Sequence, residues 1–175
     1  MSNKTNNNLL NALRTAIEIE DNGLITYLKF ARQTKNETGK NMFIQMAIDE
    51  HEHRIFLENQ LNKISEGDNW EIMEIPKSEI EKIAPAIRKK GQKTKDKANL
   101  SEIDALNTAL DLERKSANFY REMAESIDKT EVKDFFLRLA EWEDSHYEIV
   151  QSELDAINQT GMWFGIPEFR MDGRF

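Results

Sequence analysis

Apolar residues return along this chain in steps of three and four, the period of helices with one buried face, and they do so in four long runs. In the first run, about Asn8 to Asn36, the inward seam reads Leu13, Ile17, Glu20, Leu24, Tyr27 and Ala31. A turn at Thr34–Gly39 leads to a second helix from about Lys40 to Ile64, with seam Phe43, Met46, Glu50, His53, Leu57 and Ile64. The third run, from Ser101 as N-cap to about Ile127, carries Leu106, Leu110, Glu113, Ala117, Tyr120 and Ala124. The fourth, about Glu131 to Gln159, carries Phe136, Leu139, Glu143, His146, Val150 and Ile157, and Gly161 is placed to end it. Each seam thus contains a glutamate among core residues.

The two pairs of runs repeat one pattern. Adding 93 takes Ala16 to Ala109, Glu20 to Glu113, Tyr27 to Tyr120, Phe43 to Phe136, Glu50 to Glu143 and His53 to His146 without a gap. Two helical hairpins of this kind cannot bury their apolar faces alone, so an all-α four-helix bundle is expected, its hairpins joined by a long crossover. Residues 1–7 read as a disordered arm and 8–160 as the bundle domain, with a crossover linker over 65–100. Within that linker Trp70 to Ile75 reads as extended, about Lys77 to Lys89 as a short helix interrupted by Pro85, and Lys89 to Lys97 as a basic, solvated connector. Residues 161–175 form an aromatic tail expected to pack on the bundle or on a second subunit.

Composition narrows the chemistry. Among 175 residues there is no cysteine, which excludes disulfides, thiolate metal sites and thiol catalysis. A net charge of −8 argues against nucleic acid as the main partner, but suits a site that wants carboxylates. No apolar run approaches the roughly 20 residues of a membrane span, and the polar N-terminus lacks the core of a secretory signal, so a cytoplasmic protein is the expectation.

The seams hold the candidate site. Glu50 with His53, and Glu143 with His146, form Glu-x-x-His pairs that place a carboxylate and an imidazole on one helix face. Glu20 and Glu113 stand opposite them. No Lys or Arg lies near these groups in the seams, and six unpartnered ionisable side chains in a core would be costly. A Glu from each of two helices plus Glu-x-x-His from each of the other two is the ligand set of ferritin-like dimetal proteins. Oxygen-rich ligation with two imidazoles suits iron or manganese and admits zinc. His51 reads as a surface residue. Trp142, next to Glu143, reads as facing elsewhere, as packing rather than an electron relay.

The run Ala16-Ile17-Glu18-Ile19-Glu20, followed by Tyr27 and Ala31, and the run Leu139-Ala140-Glu141-Trp142-Glu143-Asp144-Ser145-His146 resemble the rubrerythrin family of ferritin-like proteins. The resemblance covers about residues 9 to 158 and all six ligand positions in order. It implies that Glu20, Glu50, His53, Glu113, Glu143 and His146 hold two iron ions, with Glu50 and Glu143 bridging and Glu20 and Glu113 terminal. It implies reduction of hydrogen peroxide to water. The sequence shows no rubredoxin module, so electrons are expected from a separate, rubredoxin-like donor protein. A homodimer is expected too, with exchange of hairpins between subunits left open. Tyr27 and Tyr120 match family positions, either as core tyrosines or as hydrogen-bond donors to a bridging carboxylate. The family carries a further glutamate one turn beyond the third ligand; here Ser116 stands there and Gly23 at its repeat mate, so the site reads as symmetric. That departure favours a ferroxidase acting on Fe(II) with oxygen, while the resemblance favours the peroxide reductase. A third reading, metal bound for stability alone, is disfavoured because leucines would serve stability better.

Overall fold

The computed structural model describes residues 3–65, 92–97 and 100–165. Four helices dominate it: α1 (Asn3–Gln33), α2 (Glu37–Ser65), α3 (Leu100–Glu125) and α4 (Thr130–Thr160). α1 packs along α2 and α3 along α4, and α1 also meets α3. The chain is a four-helix bundle built from two hairpins, as its periodicity predicts. Among the described residues no helix is long and apolar enough to cross a membrane.

The apolar seams close into two layers. One contains Tyr27, Met42, Phe43, Met46, Leu106, Ala109 and Val150. The other contains Leu13, Phe56, Leu57, Tyr120, Phe136, Leu139 and Trp142. Between them lies a layer of buried charged residues. Burying the apolar layers stabilises each side chain by about 1.5–3 kcal/mol, which is what allows the bundle to carry polar groups in the middle.

Local signals set the helix ends. Asn36, not a residue nearer Lys40, caps α2: its side-chain oxygen accepts the Gly39 N–H at 3.0 Å. The Lys35 and Asn36 N–H groups of the same turn donate to Glu102 of α3, at 2.8 and 3.2 Å, so the second hairpin closes the turn of the first. α4 ends as expected at Gly161, whose φ of 72° is the left-handed conformation and whose N–H reaches the Ile157 carbonyl.

Four expectations change. α1 starts at Asn3, inside the segment read as an arm. α3 starts at Leu100, so Ser101 lies in its first turn rather than at its cap. Part of the basic connector is a strand, β1 (Gln92–Lys97), paired antiparallel with β2 (Met162–Gly165) of the tail. Backbone groups make such a ladder, so a polar segment without apolar alternation can form one. The tail therefore contributes a strand, and its Trp163 is fully buried against Phe43, with the rings edge to face at 6.3 Å. Gly39 makes the room: a Cβ there would sit 2.6 Å from the Trp163 ring. The extended segment expected at Trp70–Ile75 and the short helix at Lys77–Lys89 lie outside the described residues.

Candidate metal centre

One helical turn separates Glu50 from His53 on α2, and Glu143 from His146 on α4, so each pair aims inward together. α1 supplies Glu20 and α3 supplies Glu113 at matching depth. All six are at most 3% exposed. Ligand atoms of Glu20, Glu50, His53 and Glu143 lie within 4.8 Å of one another, and so do those of Glu50, Glu113, Glu143 and His146. Glu50 and Glu143 belong to both groups. The six residues singled out by the repeat thus converge on two adjoining four-residue clusters that share two carboxylates.

The electrostatics are those of anions forced together. Burial pushes the Glu50 carboxyl well above its usual range and the charge of Glu20 adds to this, with His146 opposing. Burial likewise raises Glu143, reinforced by Glu20, Glu50 and Glu113. Burial would raise Glu20 too, but the adjoining Glu50 carboxyl, the charge of the nearby His53 and the Tyr120 hydroxyl outweigh it, and Glu20 is held low. Burial works against a charge on His146, yet Glu113, Asp49 and Glu50 raise it well above the ordinary histidine value. The cluster keeps protons where cations would serve better.

The donor set fits two metal ions. Glu20 Oε2, Glu143 Oε1, both ring nitrogens of His53 and both of His146 are buried without a hydrogen-bond partner among the described residues. Unpaired buried polar atoms are rare and costly, and these six cluster on one centre. Two divalent cations would satisfy them and neutralise four carboxylates.

Three kinds of neighbour complete the site. The first is the pair of tyrosines. Tyr27 of α1 donates to Glu113 of α3, and Tyr120 of α3 donates to Glu20 of α1. The expected partner was a bridging carboxylate; the actual partners are the two outer glutamates, because each tyrosine faces the helix across the bundle that carries one. Burial and the charges of Glu20 and Glu143 push Tyr120 well above its usual value, so it remains a donor.

The second kind sits behind the histidines. Asp49, fully buried, places Oδ2 3.6 Å from His146 Nε2. Sequence reasoning missed it. The available signal was its spacing, four residues before His53 and immediately before Glu50. Trp142, read as facing elsewhere, lies flat on His53, with centroids 3.8 Å apart and planes 2° apart. His51 is exposed, as expected.

The third is a cavity of about 190 Å³ between α1 and α3, lined by Gly23, Tyr27, Glu50, Glu113, Ser116 and Glu143, with Asn22 and Lys115 among its other lining residues. A Cβ on Gly23 would come within 3.0 Å of the Glu50 carboxyl carbon. Gly23 and Ser116, the positions without a further ligand, are therefore where space reaches the centre.

Fold and site together define a ferritin-like bundle whose two buried Glu/His clusters share two carboxylates. The Rubrerythrin family model matches residues 11–102 and 104–163, and the chain belongs to that family. Members typically bind a diiron centre, and the buried Glu/His clusters here can bind metal. Among solved structures, a hypothetical protein from Pyrococcus furiosus is similar, at 22% identity and a TM-score of 0.63, over 89% of this chain and 93% of that one. At that identity the likeness shows the fold. Among curated proteins no relative matches the chain.

Proposed function

We propose that this protein is a diiron oxidoreductase that reduces hydrogen peroxide to water with electrons from a separate, rubredoxin-like donor. The observation that carries the reading is the sharing of Glu50 and Glu143 between the two clusters, which suits a pair of adjacent ions bridged by carboxylates. Glu20 and His53 would complete one position, Glu113 and His146 the other. Bound iron would supply the two electrons that, with two protons, convert one peroxide to two waters. The protein's own part is positioning. Tyr27 and Tyr120 orient the outer glutamates, Asp49 faces the outer nitrogen of His146, and the apolar layers above and below limit water. The cavity beside Gly23 and Ser116 is the size of a small substrate's approach, not of a bulky one. Manganese or zinc could fill the same ligands.

The test is anaerobic. Diferrous protein mixed with peroxide should oxidise stoichiometrically, and a reductant should restore it over many cycles. A second reading, ferroxidase, draws support from Gly23 and Ser116, where open space stands in place of a further ligand. Fast oxidation by oxygen with no sustained peroxide cycle would decide for it.

A further inference from the structure

The 93-residue register pairs every proposed ligand with an equivalent one. Glu20 matches Glu113, Glu50 matches Glu143, and His53 matches His146. The tyrosine bonds are matched as well, since Tyr27 to Glu113 and Tyr120 to Glu20 are the same contact made in opposite directions. Besides Gly23 and Ser116 at the cavity, the register fails at one place against the histidines. The residue before each shared glutamate is Asp49 in the first hairpin and Trp142 in the second. Both reach across to the histidine of the opposite hairpin.

Their effects differ. His146 turns Nδ1 toward Glu50 and Glu113, at 3.3 and 3.6 Å, and Nε2 toward Asp49 at 3.6 Å. Asp49 is itself held by Gln45, whose Nε2 donates to Oδ1 at 2.9 Å. The imidazole therefore has a nitrogen facing the cluster and an outer nitrogen with an anchored carboxylate at ion-pair distance behind it, though neither nitrogen makes a hydrogen bond among the described residues. His53 turns Nδ1 toward Glu20, Glu50 and Glu143, at 3.4, 3.8 and 3.9 Å. Its Nε2 is buried with no hydrogen-bond partner among the described residues. Its ring is held by the face of Trp142, which Phe56 meets edge to face in turn.

A carboxylate behind a ligating histidine fixes the tautomer, orients the ring and makes the inner nitrogen a better donor; its loss typically costs about 10–100-fold in metal affinity. A stacked indole orients the ring but brings no negative charge to it. We propose that the two metal positions are unequal: the ion at Glu113 and His146 binds first and tightly, and the ion at Glu20 and His53 binds second and exchanges, because Asp49 backs one histidine and Trp142 the other. This rests on the reading that the six residues hold two ions. It adds which position is labile and which residues make it so.

Cobalt(II) is the probe. Titration of metal-free full-length protein, followed by calorimetry, should give two steps whose affinities differ by about 10–100-fold. Crystals of protein carrying one equivalent should show anomalous cobalt density concentrated at the Glu113 and His146 position. Asp49→Asn, checked for helicity by circular dichroism, should weaken the first step toward the second and spread the single equivalent over both positions. Trp142→Phe keeps an aromatic face on His53 and should leave the first step in place. Equal peaks, a dominant peak beside His53, or an Asp49→Asn isotherm identical to the parent would overturn the proposal. The two failures are separable. Two ions bound with one affinity remove the inequality alone, whereas fewer than two ions in the parent remove the dimetal reading beneath it.

Discussion

At Gly23 a missing side chain has two consequences of opposite sign. Glycine in a helix interior costs roughly 0.5–1 kcal/mol relative to alanine. The Cβ of an alanine would press on the movable end of Glu50, at 3.0–3.3 Å. Gly23→Ala should therefore leave the metal-free protein at least as stable in urea while lowering metal affinity about tenfold or more, as read by metal content per chain after dialysis. Removing both shared carboxylates, Glu50→Ala with Glu143→Ala, should abolish metal binding and retain the helical spectrum; full loading of that double variant would refute the site. Tyr27→Phe and Tyr120→Phe each delete a buried donor to an outer glutamate, and each should cost about 1.5–3 kcal/mol in chemical denaturation. The six converging residues were legible because the repeat shows them twice, on seams that otherwise hold only core residues. Asp49 and Trp142 were not. A position next to a seam ligand is rotated by about 100°, which looks like the outside of an isolated helix. In a bundle each helix has two neighbours, and that rotation aims Asp49 and Trp142 at histidines on the adjoining helix.

Among the elements, the turn between α1 and α2 shows how one hairpin completes the other. Glu102 accepts the Lys35 and Asn36 N–H groups, and its second oxygen lies 3.4 Å from Trp163 Nε1. One buried carboxylate thus joins the first turn, the start of α3 and the tail strand. Glu102→Ala should lose about 1–3 kcal/mol, since it strands buried donors. Trp163→Ala should lose about 3–5 kcal/mol by opening a hole against Phe43 and Gly39. Urea midpoints of the two single variants and of the double would also show whether the losses couple, as residues in direct contact should. The helices were legible from period alone. The β1–β2 ribbon was not, because its pairing is made by backbone groups of segments some seventy residues apart, for which side-chain pattern carries little signal.

For the whole molecule, the central layer makes stability depend on pH in a direction unlike that of most proteins. Glu50 and Glu143 titrate well above their ordinary value of 4.5 when folded, and His146 well above 6.5. Groups raised on folding contribute stability that is present below the unfolded value and lost as pH rises through the folded one. Glu20 and Asp49 are lowered, so their contribution is present above 4.5 and 3.8 and lost as pH falls. Metal-free protein should accordingly be most stable in mild acid, about pH 5, and its melting temperature should decline toward pH 9. Metal displaces those protons, so the gain in melting temperature on loading should grow with pH over the same interval. Calorimetric scans of both forms at pH 5, 7 and 9 check the sign.

The crossed tyrosines bear on where such a chain comes from. Each hairpin carries one tyrosine that reaches outward to its partner and one glutamate that receives the partner's. That is the arrangement two identical hairpins make about a two-fold axis, where every contact is given once and returned once. A half-length ancestor pairing with its own copy would already possess both bonds, and six ligands from only three residue positions. Joining the two copies in one chain would then free each half to change alone. Asp49 and Trp142 mark a place where the halves have parted: two copies of a single gene product could not have held an aspartate at one of these positions and a tryptophan at the other.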